Sequence, residues 1–180
     1  MNAIHLLPLG GASPELVEVL AGPLGRTFRS RVETRPFDLD LEQFFDAERG
    51  QYNSTHLLMH LKEHYAPLAG DSGVRVLALV PFDLFIPILT YVFGEAEVGG
   101  NVAVISHYRL APERYGLPAD RALLAGRFVK EGTHELGHVC SLIHCSEQSC
   151  VMHSSSYVED IDLKDSSFCR VCAAELARRS

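Results

Sequence analysis

The amino-acid sequence predicts a single α/β domain built on a mixed, five-stranded, twisted sheet. Its 180 residues suit one domain that is large enough to enclose a core. Short apolar segments alternate with longer segments of helical periodicity, as in sheets that are covered by helices. Hydrophobic residues make up 47% of the chain and charged residues 22%, which is typical of a globular protein. We therefore expect one folded unit over residues 1–180.

The first elements are a strand, a helix and a second strand. Residues 3–9 form an apolar run before a pair of glycines, which predicts a buried strand. Ser13 offers an N-cap to a helix that we expect to end near Gly22-Pro23. Residues 27–34 alternate polar and apolar side chains, which is the period of a half-exposed strand.

The next segment lacks a clean period and leads into a second helix. Residues 36–50 predict a loop with one helical turn. Asn53 or Ser54 then begins a helix. Its buried face consists of apolar side chains at helical spacing, namely Leu57, Leu58, Leu61 and Tyr65.

Three histidines, His56, His60 and His64, recur every four residues on the other face of that helix. A shared metal site is conceivable there. However, neither a well-placed base nor a helix-breaking turn accompanies these residues. We therefore interpret the histidine face as solvated.

Three further strands complete the predicted sheet. Residues 74–80 are an almost unbroken apolar run, as expected of a central strand that is covered on both faces. Residues 90–98 and 101–108 predict two strands that Gly99-Gly100 joins in a tight hairpin. The last long helix begins within residues 117–120, and its apolar positions are Leu123, Leu124, Phe128 and Val129.

This helix continues into the pattern His-Glu-x-x-His. His134 and His138 lie on one face about one turn apart, close enough to bind the same cation. Glu135 lies roughly 100° further round the helix, where a carboxylate can reach a metal-bound water without being a ligand. The pattern predicts metal-assisted hydrolysis, although it also recurs on ordinary solvated helices.

A third histidine, His144, can complete the ligand set, because catalytic zinc takes three protein ligands and keeps one open position. On a continuous helix His144 would lie about 9 Å along the axis from His138, too far for two bonds of about 2.0–2.1 Å. The helix must therefore break between them.

Four cysteines form two closely spaced pairs, Cys145 with Cys150 and Cys169 with Cys172. Zinc takes four thiolates in closed structural sites that are built from two such pairs. A redox role for the second pair is disfavoured, because redox CxxC motifs begin a helix after a strand and lack two further paired cysteines. Cys140 lies roughly 140° from the two helical histidines, and we interpret it as a core thiol.

The arrangement from His134 to Cys172 resembles the archaemetzincins, a family of zinc metalloproteases in the metzincin clan. Their pattern runs HExxHxxGxxHC, four residues, CxM, a short spacer and CxxC. Ser141 in place of glycine is the one clear mismatch. The match covers the C-terminal part of the chain, and it implies a metzincin-like fold.

The resemblance also implies two zinc ions, one catalytic and one structural, and a role for each motif residue. The catalytic zinc ligands would be His134, His138 and His144, with Glu135 as general acid/base and Met152 as the Met-turn residue beneath the zinc. The structural zinc ligands would be Cys145, Cys150, Cys169 and Cys172. This second zinc would fix the Met-turn segment, residues 145–180, to a main body over residues 1–144.

These residues favour a zinc-dependent metallopeptidase that hydrolyses peptide bonds with a zinc-bound water activated by Glu135. The resemblance places a peptide or protein substrate along the first strand of the predicted hairpin, which is an edge strand. Tyr157 and His153 are candidates for a second oxyanion stabiliser, as alternatives to local packing. The competing hypothesis is a non-catalytic, zinc-stabilised peptide-binding module, although such a module has no use for Glu135.

The net charge and the cysteine content indicate which kinds of partner and which cellular compartment to expect. The net charge of −7 argues against sequence-independent nucleic-acid binding. We expect neither a signal peptide nor a transmembrane helix, because the N-terminal region lacks a basic segment and no run approaches about 18 apolar residues. Cysteines poised as thiolate ligands favour a reducing compartment, and we expect the cytoplasm. The oligomeric state stays open.

Overall fold

The structure, a computed structural model, describes residues 3–65 and 73–179. Strands and helices alternate through the first part of the chain, and helices dominate the C-terminal part. In chain order the elements are β1 (Ala3–Pro8), α1 (Pro14–Phe28), β2 (Arg31–Thr34), β3 (Phe45–Asp46), β4 (Gln51–Asn53), α2 (Ser54–His64), β5 (Val74–Val80), β6 (Leu84–Phe85), β7 (Gly94–Ala96), β8 (Val102–Ser106), α3 (Arg121–Val139), α4 (Val158–Leu163) and α5 (Arg170–Arg179).

A five-stranded sheet forms the centre of the molecule, in the order β2-β1-β5-β8-β7. Neighbouring strands from β2 to β8 run parallel, whereas β7 pairs antiparallel with β8 at one edge. The prediction of a mixed, five-stranded sheet in a single α/β domain is therefore confirmed. Among the strands in residues 3–65 and 73–179, none pairs with the outer side of β7 in this sheet.

The predicted central strand lies in the middle of the sheet and is covered on both faces. Leu77 and Leu79 of β5 pack in a cluster with α1 and α3. Val76, Ala78 and Val80 point to the opposite face and pack in a cluster with α2. Because alternate residues of a strand face opposite sides, burial of both faces accounts for the unbroken apolar run.

The first helix is longer than predicted, and the strand after it is shorter. We expected the helix to end near Gly22-Pro23 and a strand to begin at residue 27, but α1 continues to Phe28. Leu24 and Phe28 extend the buried stripe by helical spacing, and this packing outweighs the lost backbone hydrogen bond at Pro23. Arg29, with φ of 50°, ends the helix in the left-handed region.

A second, three-stranded sheet in the order β3-β4-β6 was not predicted. The segment 36–50 contains a 3-10 turn at Glu42–Phe44, as expected, but it also contains β3. The predicted hairpin strands are likewise shorter than expected, since only β7 and β8 pair regularly. Strands of two or three residues are too short to show a period in the sequence.

The second helix begins as predicted. The Asn53 side chain accepts a hydrogen bond from the backbone N–H of His56 and caps α2. His56 and His64 are exposed, whereas His60 is half-buried with its ring 5.5 Å from that of Phe44. Within residues 3–65 and 73–179, no helix is long and apolar enough to cross a membrane.

Candidate active site and metal centres

The longest helix, α3, positions the predicted catalytic motif. Its N-terminus is capped by Asp120, whose side chain accepts a hydrogen bond of 2.9 Å from the backbone N–H of Leu123. Its last turns present His134 and Glu135 to a cleft, and each of these residues is only 5% exposed. The cleft lies between the segment that leads into β7 and the segment that precedes α4.

The chain leaves α3 through Ser141, the residue that replaces the glycine of the metzincin pattern, and this residue is left-handed. Ser141 has φ of 66°. The N–H of the following Leu142 donates to the carbonyl oxygen of Gly137 at 3.0 Å, which closes the helix end. This turn carries His144 back to the helical pair, so that the ligand atoms of the three histidines lie within 4.8 Å of one another.

Backbone carbonyls fix the two helical histidines in the tautomer that a metal requires. His134 Nδ1 donates to the carbonyl oxygen of Val151, and His138 Nδ1 donates to that of Leu142, each at 2.8 Å. Because a carbonyl can only accept, each Nδ1 carries the proton and each Nε2 has a free lone pair. The two Nε2 atoms are 3.1 Å apart, close to the roughly 3.4 Å expected for two nitrogens on one tetrahedral zinc.

Partial desolvation also favours the neutral form of the three histidines. Desolvation lowers the pKa of His134 well below its usual range, and the nearby ammonium of Lys164 lowers it further. Desolvation is likewise the main cause of the lowered pKa values of His138 and His144. Neutral imidazole is the metal-binding form, so the donor set fits a divalent cation.

Met152 lies directly beneath the motif helix. It is fully buried, and its backbone carbonyl accepts a hydrogen bond of 2.9 Å from the N–H of Cys145. A Cβ atom on Gly137 would overlap the sulfur of Met152. Gly137, which lies between Glu135 and His138, therefore permits close packing of the helix on this methionine.

The four paired cysteines form a second cluster, with sulfur atoms within 4.8 Å of one another. A hydrogen bond from a backbone N–H, that of Cys172, lowers the pKa of Cys169 to about 7. The set of four thiols fits a closed zinc site. Cys140 lies outside this cluster and packs half-buried against the core.

The two clusters share one stretch of chain. Cys145 directly follows His144, and Val151, whose carbonyl orients His134, directly follows Cys150. Whatever holds the cysteine cluster together therefore also fixes the loop that completes the histidine cluster.

Glu135 is enclosed between α3 and the edge strand. A Cβ atom on Gly94 of β7 would lie 2.8 Å from Glu135 Oε1, so only a glycine leaves room for this carboxylate. Burial raises the pKa of Glu135 well above its usual range, and the neighbouring carboxylate of Glu131 raises it further. A carboxylate with a raised pKa is a stronger base near neutral pH.

A buried ion pair at the back of the cleft was missed by the sequence analysis. Lys164 Nζ lies 3.2 Å from Glu131 Oε1, and the two side chains are 0% and 4% exposed. Lys164 also donates to the carbonyl oxygen of His153 at 3.2 Å. Glu131 precedes Glu135 by one helical turn and could have been noticed, whereas no spacing in the sequence points to Lys164.

The two candidates for a second oxyanion stabiliser differ in position. Tyr157 lines the cleft and is 67% exposed. His153 does not line this cleft, and its Nδ1 donates to the carbonyl oxygen of Cys145 at 2.9 Å. Of the two, only Tyr157 is placed where it can meet a substrate.

Comparison with known proteins places this geometry in one family. The family model described as peptidase family M54 matches residues 30–178. The archaemetzincin of Methanocaldococcus jannaschii is 38% identical over 176 residues, which cover 98% of this chain and 93% of that relative.

Solved structures agree with this match. The crystal structure of the Archaeoglobus fulgidus archaemetzincin complexed with malonate superposes with a TM-score of 0.81 at 38% identity, covering 96% of this chain and 99% of that one. A zinc-dependent peptidase from Methanocorpusculum labreanum superposes with a TM-score of 0.85 at 29% identity, with the same coverage.

Proposed function

This chain belongs to peptidase family M54, the archaemetzincins, and is a zinc metallopeptidase; from that membership we propose that Glu135 activates the water that cleaves the peptide bond. The observation that carries this proposal is the cleft geometry. Three neutral histidines converge within 4.8 Å, and a buried carboxylate stands next to them on the same helix.

We assign two zinc ions to the chain. His134, His138 and His144 hold the catalytic ion, while the structural ion is held by Cys145, Cys150, Cys169 and Cys172. Both donor sets are of the kinds that zinc prefers in catalytic and structural sites respectively. The structural ion fastens residues 145–180 onto the main body of a single catalytic domain, and Met152 supports the histidine site from below.

The catalytic zinc, when bound, lowers the pKa of water to about 7 and polarises the carbonyl oxygen of the substrate. Glu135 takes a proton from the attacking water and delivers it to the leaving amine. Gly94 leaves the space in which Glu135 makes these transfers. The ammonium of Lys164 stabilises negative charge on the two buried carboxylates, Glu131 and Glu135.

The substrate lies along the outer edge of β7 as an added strand. No strand in the described part of the chain pairs with this edge of the five-stranded sheet, and unpaired backbone groups of an edge strand can bind an extended peptide. The cleft beside it reaches His134, Glu135 and His144. We assign the enzyme to the cytoplasm, because a reducing compartment preserves four thiol ligands.

Removal and return of zinc test the proposed function. Wild-type protein should cleave members of a peptide library, lose this activity after dialysis against a chelator, and regain it when zinc is restored in stoichiometric amount. Circular dichroism before and after dialysis separates loss of the catalytic ion from unfolding. A zinc-replete, folded protein that binds library peptides without cleaving any of them would support the binding-module hypothesis instead.

A further inference from the structure

The cleft has two walls of different origin. One wall is the segment 89–94, which leads into β7, and the other is the segment 154–157, which precedes α4. The floor between them carries Glu135 and, further back, the ion pair of Glu131 with Lys164. A peptide that lies along β7 must therefore pass between these walls if it extends beyond Gly94 toward residue 89.

A hydrogen bond joins the two walls across the cleft. The hydroxyl of Tyr91 donates to the carbonyl oxygen of Ser156 at 2.8 Å, and both residues line the cleft. An extended peptide that follows the wall from Gly94 meets this bridge at Tyr91.

The edge available to a substrate strand ends at nearly the same place. The backbone N–H of Val92 donates to the carbonyl oxygen of Leu84 at 2.9 Å, and the two residues form an antiparallel bridge. The protein's own β6 therefore occupies the edge at Val92. Within the described part of the chain, only the stretch from Gly94 to Ala96 is left for pairing with a substrate strand.

Side chains of neighbouring elements hold the wall formed by residues 89–94 in place. Arg49 donates to the carbonyl oxygen of Leu89 at 3.1 Å, and Gln51 donates to that of Thr90 at 3.0 Å. The guanidinium of Arg109 lies 4.0 Å from the centre of the Tyr91 ring. The bridge is therefore formed by an anchored tyrosine rather than by an unsupported side chain.

The distance from the reacting carboxylate to the bridge limits the length of the bound peptide. Gly94 lies against Glu135, and Tyr91 is three residues earlier in the chain. Three residues span at most about 10 Å. A substrate strand therefore has room for about three residues between the scissile bond and the bridge.

We propose that the Tyr91–Ser156 bridge crosses the cleft, blocks a bound peptide at Tyr91, and makes the enzyme a peptidase that removes short C-terminal fragments of about three residues or fewer. A substrate strand pairs antiparallel with β7, which is the more stable arrangement per residue. Its C-terminal side then points toward Tyr91, because β7 runs from Gly94 away from the bridge. This inference rests on the proposed function, since it concerns the same cleft.

The test uses one peptide of about twenty residues, acetylated at its N-terminus, and follows the released fragments by mass spectrometry. The wild type should release fragments of about three residues or fewer from the C-terminus. Tyr91→Phe keeps the ring against Arg109 but cannot donate to Ser156. The share of longer C-terminal fragments should then rise about fivefold, because the free energy of one neutral hydrogen bond corresponds to about this factor in an equilibrium constant.

Tyr115→Phe is the matched control, because the Tyr115 hydroxyl donates to the carbonyl oxygen of Arg109 and does not line the cleft. This variant should give the wild-type fragments. Internal or N-terminal cleavage by the wild type, or identical fragments from the two variants, overturns the proposal. Complete lack of cleavage by all three zinc-loaded proteins contradicts the proposed function instead. In that case the affinities of the three proteins for a C-terminally extended peptide are compared. A fivefold gain in affinity for Tyr91→Phe alone supports the proposed bridge, and equal affinities for all three proteins overturn it.

Discussion

Replacing Glu135 by glutamine is expected to lower kcat/KM for a cleaved peptide by about 10²–10⁴, the usual contribution of a general base. Glutamine has nearly the same size, so it fits the space that Gly94 leaves. It cannot accept the proton of the attacking water. Steady-state kinetics on a peptide that the wild type cleaves measure the effect.

Zinc content decides how this kinetic result is interpreted. Glu135 does not belong to the group of three histidines that would bind the catalytic zinc. The Glu135→Gln variant should therefore bind as much zinc as the wild type. Glu113→Gln changes an exposed carboxylate outside the cleft and should leave kcat/KM unchanged. Near-normal turnover by zinc-loaded Glu135→Gln would remove Glu135 from the mechanism.

Replacing Cys169 by serine is expected to be the most destabilising single change in the C-terminal segment. The last helix, α5, buries only Cys172 and Leu176, which is too little apolar surface to hold it alone. Structural zinc sites contribute about 10–16 kcal/mol in zinc-finger peptides. Loss of about 4 kcal/mol already lowers the Tm of a chain of this size by roughly 10 °C.

Thermal melts of three variants give the comparison. Cys140→Ser changes a half-buried cysteine outside the cluster, and its Tm should fall by much less than that of Cys169→Ser. His144→Ala should also have a smaller effect, because His144 is exposed and stands outside the helix. The reverse order of Tm values would contradict a structural role for the cysteine cluster.

Much of the site could be predicted from the sequence because its residues are close together in the chain. His134 and His138 share a helix face through spacing alone, and the need for a helix break before His144 follows from bond lengths. The left-handed Ser141 confirms that break. Local geometry of this kind requires no knowledge of the tertiary fold.

The parts that were missed depend on contacts between distant segments. Lys164 reaches Glu131 from another element, and Tyr91 reaches Ser156 across the cleft. Neither contact has a spacing that a single sequence displays. The helix end at Phe28 was misplaced for a related reason, because packing against the core outweighs the local breaking tendency of Pro23.

We propose that the chain holds two zinc ions in separate sites and uses the histidine site for catalysis. This proposal is tested by elemental analysis of zinc in the wild type, His144→Ala and Cys169→Ser, combined with a peptide-cleavage assay on each protein. We expect two zinc ions in the wild type and one in His144→Ala, which should lose peptide cleavage while its cysteine site stays loaded. Cys169→Ser should bind at most one zinc ion, because the cysteine cluster also fixes the loop that carries His144. A wild type with one zinc ion, or a His144→Ala variant that keeps two ions and normal cleavage, would contradict this assignment of the two sites.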